Sequence, residues 1–210
     1  MYHLKGPNRQ ILLNMKKNLI ALSCVMASGL FGYSQNRASG IYLTQQDFEN
    51  RNLSYSTEED NKNNKIRFNE FIERPFINIR HKGEKVILFK DEIYAYQKKG
   101  KIVRTYNFET YNFIERGAIW IYYKDLTISL GKGIKRERQY FYSISGRGNI
   151  MPLTILNLKK SFPEKYAFHN MLDAQFRKDA DLIEYNRLEG KFQVNHLLET
   201  TAFVTGNAMP

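Results

Sequence analysis

Between residues 76 and 145 the chain repeats one pattern, a short burst rich in Ile, Val, Tyr and Phe followed by a glycine at 83, 100, 117, 131 or 133. Glycines 146 and 148 close the series. Bursts this short are too brief for amphipathic helices, whereas β-branched and aromatic residues punctuated by glycine read as strands joined by tight turns. Arg80-His81-Lys82-Gly83-Glu84, Lys98-Lys99-Gly100-Lys101, Glu115-Arg116-Gly117 and Gly131-Lys132-Gly133 supply the turns. The expectation is an α+β fold: an antiparallel, aromatic-rich β-meander over residues 40–145, forming an open sheet or a small barrel, with C-terminal helices packed on it.

The flanking segments extend this reading. Gly40-Ile41-Tyr42-Leu43 forms a first strand, and Thr44-Gln45-Gln46-Asp47 has the spacing of a capping box whose short helical turn carries Phe48 inward. Leu53-Ser54-Tyr55 and Ile66-Arg67-Phe68 read as the two sides of a hairpin across the polar stretch 56–65. In the strand around Trp120, alternation puts Trp120 and Tyr122 on one face and Ile119, Ile121 and Tyr123 on the other, so both faces need cover. Beyond Met151 the period turns helical. Pro152 fits a first turn with Leu153, Leu156 and Lys160 along one side, and Ser161-Phe162-Pro163-Glu164 repeats the capping-box spacing. Phe168, Met171, Leu172 and Phe176 make an apolar stripe, a third helix is expected over 179–187, and Gly190 interrupts. Residues 192–199 fit strand or helix, and the tail 200–210 is expected to be loose.

Upstream, Met15-Lys16-Lys17-Asn18 opens an apolar stretch of 13 residues from Leu19 to Phe31, followed by Gly32-Tyr33-Ser34-Gln35. A basic start, a short apolar core and small residues at the −3 and −1 positions outline an export signal, too short to span a bilayer comfortably. Residues 1–34 are therefore expected to be an upstream extension plus a signal peptide, and 35–210 a single exported domain, mainly β over 40–150 and mainly α over 151–200. Four of the 32 basic residues and none of the 21 acidic ones fall in the first 34 positions, which leaves the exported part at +7. A basic protein outside the cytoplasm, in the periplasm or secreted, meets anionic lipid, acidic glycan or envelope protein rather than nucleic acid.

Four segments resemble a group of exported proteins of unknown function from Bacteroidetes-type bacteria. They are the GIYLTxxDF opening at 40–48, an IxxNxF segment at 66–71, the EIYxY at 92–96 and NLKKxFP…FHxxLDxQF at 157–176. Ala95 stands where such proteins tend to carry glycine. The resemblance implies export and a β-rich fold and assigns no functional residue.

Catalytic chemistry is thinly represented. The single cysteine, Cys24, lies inside the expected signal, so the exported part has no thiol nucleophile, thiolate ligand or disulfide. Its histidines are His81, His169 and His196; His169 and Asp173 lie four apart on an expected helix, short of the three or four ligands of a zinc site, so no metal and no cofactor are expected. Asp91-Glu92, Asp179, Asp181 and Glu184 offer carboxylates but single out no acid–base pair at glycosidase spacing. Ser143 and Ser145 lack a nucleophile elbow, and the glycine-flanked Lys132 and Arg147 lack a phosphate loop. The remaining signal is aromatic. Tyr94, Tyr96, Trp120 and Tyr122 with Arg104 could form a binding face that stacks a sugar or another polymer, although core packing with tyrosine hydroxyls at the rim is the favoured reading. The leading reading is a non-enzymatic binding or envelope-associated protein. An extracytoplasmic hydrolase and a structural component of an envelope complex are the alternatives.

Overall fold

The computed structural model describes residues 38–57, 62–70, 74–130 and 133–206, with side chains at 129, 130 and 202–206 excepted. The expected signal region lies outside the described residues. In chain order the elements are β1 (Ser39–Tyr42), α1 (Gln45–Glu49), β2 (Tyr55–Thr57), β3 (Lys65–Arg67), β4 (Phe76–His81), β5 (Glu84–Phe89), β6 (Ala95–Lys98), β7 (Lys101–Tyr106), β8 (Glu109–Arg116), β9 (Trp120–Leu130) and β10 (Gly133–Ser143). Then follow β11 (Met151–Pro152), α2 (Ile155–Ser161), α3 (Tyr166–Gln175), a 3-10 turn (Asp179–Ile183), β12 (Tyr185–Asn186), β13 (Lys191–Phe192) and α4 (Gln193–Gly206).

The strands form open antiparallel sheets, not a closed barrel. Eight make the main sheet in the order β11-β10-β9-β8-β7-β6-β1-β2, and β3-β4-β5 form a separate three-stranded sheet. The meander expectation therefore holds for β6 to β10 and fails before it. β2 pairs with β1 and β3 pairs with β4, so the segments at Tyr55 and Ile66 are not two sides of one hairpin. Burial explains the split. Ile66, Ile77 and Ile79 alternate inward and are nearly fully buried against Ile41, Tyr96 and Val103 of the main sheet, so the small sheet works as a lid rather than as a continuation. The capping box is present as read: Thr44 Oγ1 accepts from Asp47 N at 3.1 Å, Thr44 N donates to Asp47 Oδ2 at 3.0 Å, and Phe48 turns inward.

Cross-strand register ties Ile41, Tyr96, Val103, Asn112, Tyr123 and Tyr140 to one face of the main sheet. One end of that face carries the small sheet. The other carries the C-terminal elements, which bury Ile119, Ile121 and Tyr142 under Leu158, Phe168, Leu172, Val194 and Leu198. The opposite face holds Tyr42, Tyr94, Trp120 and Tyr122 beneath Phe48. Both faces of β9 are thus covered where it starts, as the alternation requires.

The helical end departs from its sequence reading in several places. Pro152 lies in β11, and the first C-terminal helix starts at Ile155 behind Thr154, whose Oγ1 accepts from Asn157 N at 3.1 Å. Leu158 is its buried residue and Leu156 is exposed. Ser161 ends α2 instead of capping α3; its hydroxyl meets Tyr142 OH at 2.7 Å, which draws it into the core. Met171 is exposed, so the α3 stripe narrows to Phe168, Leu172 and Phe176. The third helix is only the 3-10 turn, because Asp179 and Asp181 are used as caps for neighbouring backbone. Residues 193–206 are helical, which overturns the loose reading for 200–206.

Candidate functional site

The sequence-nominated residues fall into two places. Tyr94, Trp120 and Tyr122 share one cluster with Tyr42, while Tyr96 lies on the opposite face, packed on Phe68 with ring centroids 4.7 Å apart. Tyr94 precedes β6, so the strand alternation that would pair it with Tyr96 does not reach it. All four rings are 1–8% exposed. Their hydroxyls have partners: Tyr94 OH donates to Gly146 O at 2.9 Å, Tyr122 OH meets Ser143 Oγ at 3.0 Å, and Tyr96 OH donates to Glu70 Oε1 at 3.3 Å. Burial raises the pKa of each phenol, to about 12 for Tyr94. Arg104 is half-buried; its guanidinium lies 3.7 Å over the Tyr94 ring and donates to Tyr94 O at 2.5 Å and to Thr105 O. Desolvation there lowers its pKa. A stacking ligand would have to displace Phe48, whose ring packs on Tyr42, Tyr94, Phe113 and Trp120.

The open concavity lies elsewhere, on the face of the main sheet between the small sheet and the helices. Its floor follows one register row across four strands, Tyr96–Val103–Asn112–Tyr123, and it encloses about 1170 Å³. Thr110 and Thr127 add hydroxyls to the lining. Cations reach it from two elements: Lys98, Lys99 and Lys101 from the β6–β7 turn, and Lys124 and Arg136 from the β9–β10 hairpin. That hairpin runs beyond β8, since β8 pairs only as far as Asn112 with Tyr123, whereas β9 and β10 stay paired out to Leu130 with Gly133.

Two acids line the groove, and each is held. Glu70 pairs with Lys98, and Asp125 accepts from Arg138 Nε at 2.7 Å and Nη2 at 3.0 Å while Arg138 stacks 4.0 Å over Tyr123. The Arg138 hydrogen bonds depress the Asp125 pKa. Lys124 pairs with Glu109 outside the groove lining. Lys99, Lys101 and Arg136 have no carboxylate within ion-pair distance among the described residues, so the groove has an excess of positive charge. No family model, curated protein or solved structure matches this chain.

His169, Asp173, Glu92, Asp179 and Asp181, among the groups nominated for hydrolysis or metal binding, are engaged in the fold. His169 Nε2 lies 2.9 Å from Phe162 O, and Asp173 takes both its contacts, at 2.6 Å, from Lys159. Glu92 accepts from Phe89 N, Asp179 from Ile155 N and Asp181 from Arg177 N, each a backbone cap. Among the described residues no group of three ligating side chains converges, and no helix is long and apolar enough to cross a membrane. Sequence reasoning missed the groove because its cations sit in a turn and in a hairpin distant in sequence; the Lys-Lys-Gly-Lys turn facing a basic hairpin was the available signal.

Proposed function

We propose that the protein is an exported, non-enzymatic binding protein that takes an acidic glycan of the cell envelope in the basic groove. The observation that carries this reading is the set of cations Lys99, Lys101 and Arg136, without a carboxylate partner among the described residues, converging from two elements on a floor of tyrosine, threonine and asparagine side chains. Carboxylates or phosphates on a polymer would meet the cations, and Thr110 and Asn112 of β8 with Thr127 of β9 offer hydrogen-bonding groups suited to sugar hydroxyls. Partly exposed cations attract over a screening length of roughly 10 Å at moderate salt, so binding should weaken as salt rises. Export supports the choice of an envelope ligand and rests on the pattern of residues 15–34.

The test is binding of polygalacturonate, with neutral dextran as control, by the wild-type chain and by a Lys101→Glu, Arg136→Glu double variant. Salt-sensitive binding of the acidic polymer that drops by about tenfold or more in the variant is expected. Equal binding by both proteins, or none at low salt, removes the groove from the proposal. Mass analysis of the native protein belongs with it: a chain starting near Gln35 outside the cytoplasm is expected, and an intact cytoplasmic chain overturns the export half.

A further inference from the structure

The three-stranded sheet has a second face, turned away from the core. Register places Lys65, Arg80 and Lys85 side by side across β3, β4 and β5, and Arg67, Asn78 and Ile87 in the next row. Phe76 and Phe89 pair at the far end, edge to face at 6.3 Å, with Arg74 5.7 Å over Phe76. Ile87 is 57% and Phe89 46% exposed. Not one of the eight outward residues of these strands is a carboxylate. Arg67 and Lys85 have no carboxylate partner among the described residues, and Arg80 donates to Lys62 O at 3.3 Å. Like charges directly opposite one another destabilise a sheet, and an anion bound on this face would offset that repulsion.

We infer that this face docks the protein on an anionic lipid surface. The chemistry is that of an interfacial binder: cations at one end to meet phosphate headgroups, and Ile87 with Phe89 at the other end to enter the boundary of the acyl region. A shallow hollow of about 430 Å³ lies between Arg67, Arg80, Lys85 and Ile87, on the scale of a single headgroup. The core does not require this face, because Ile66, Ile77 and Ile79 already pack the other side of the small sheet against the main sheet. The inference rests on the reading of an envelope protein with anionic partners, but uses residues separate from the groove.

The experiment is co-sedimentation of the full chain with phosphatidylglycerol-containing vesicles and with phosphatidylcholine vesicles, so that any contribution of residues 1–37 is common to all arms. An Arg67→Glu, Lys85→Glu double variant should lose about tenfold or more in binding to the anionic vesicles, while the Lys101→Glu, Arg136→Glu groove variant should bind them as wild type does. As a second readout, Ile87→Trp should shift its fluorescence to the blue on anionic vesicles only, against the constant background of the buried Trp120. Equal binding to both vesicle types, loss in the groove variant alone, or an unmoved Ile87→Trp spectrum would overturn the inference. The first and third outcomes leave glycan binding by the groove standing. Absence of glycan binding by the wild-type chain, with its vesicle binding intact, would instead remove the groove reading alone.

Discussion

At the residue scale, Asn195 joins the C-terminal helix to the sheet. It is fully buried; its Nδ2 donates to Glu115 Oε1 at 2.6 Å and to Ile119 O at 3.1 Å, and its Oδ1 accepts from Ile119 N at 2.9 Å. Glu115 Oε2 accepts from Phe192 N at 2.9 Å and completes the link. The close approach explains Gly117, where a Cβ would lie 2.5 Å from Asn195 Nδ2. Asn195→Leu keeps the volume and removes the side-chain partners, leaving the Ile119 amide buried and unpaired beside the Glu115 carboxylate, while the Ile119 carbonyl keeps only the Gly117 amide as donor. Its expected cost is about 2–4 kcal/mol, read as a lower urea midpoint at unchanged slope. A loss well under 1 kcal/mol would show that water or backbone shifts replace the amide. Sequence reading passed over Asn195 because the helical period of 192–199 was ambiguous, and only once Val194, Leu197 and Leu198 define a buried face does an asparagine on that face stand out.

At the scale of elements, three two-residue hairpin turns show how local chemistry sets register and where it is overridden. Lys82-Gly83 and Lys99-Gly100 both hold positive φ, with glycine second, as turns matching the strand twist prefer. The β7–β8 turn uses Asn107 and Phe108 at φ of 48° and 63°, so a phenylalanine sits in the left-handed region. Phe108 is 52% exposed and packs little, so nothing local offsets a backbone cost of about 1–2 kcal/mol. Phe108→Gly should therefore raise stability by about 0.5–1 kcal/mol after the added freedom of the unfolded chain is counted, seen as a higher melting temperature. A destabilised variant would mean that the ring contributes packing. The turns at glycines 83 and 100 were legible in the sequence because their chemistry is local. The β7–β8 turn was not, because it lacks glycine, and the detachment of β3–β5 was not, because strand signals do not say which sheet a strand joins.

At the scale of the molecule, aromatic side chains that the sequence favours as core over a binding face fill three clusters spread over both faces of the main sheet. The capping box at Thr44, the two-faced burial at Trp120 and the helical C-terminal region could be read in advance. The groove could not, since it exists only where the β6–β7 turn and the β9–β10 hairpin meet in space. Burial of phenols on both faces gives the whole fold a pH dependence. Tyr42, Tyr94, Tyr96, Tyr111, Tyr122 and Tyr142 all have raised pKa values, desolvation being the first cause in each, and Tyr94 reaches about 12. An unfolded tyrosine loses its proton near 10, so above that pH the unfolded chain binds fewer protons than the folded one and stability falls as pH rises. Below about pH 10 the contribution is whole. Above about 10 each such phenol lowers stability as pH rises until its own raised pKa is passed, a span that for Tyr94 runs from about 10 to about 12, and six acting together should make alkaline unfolding steep. The acid side differs, because Asp47 and Asp125 are depressed by hydrogen bonds from Thr44 and Arg138 at the surface; their contribution persists above the ordinary carboxylate range and fades as pH falls through their lowered values. Urea midpoints taken from about pH 8 to about pH 12, alongside tyrosinate absorbance, should show ionisation of these phenols coinciding with loss of structure. Phenols that titrate near 10 in a chain that stays folded would mean that water reaches the clusters and that the aromatic faces are open to ligands after all.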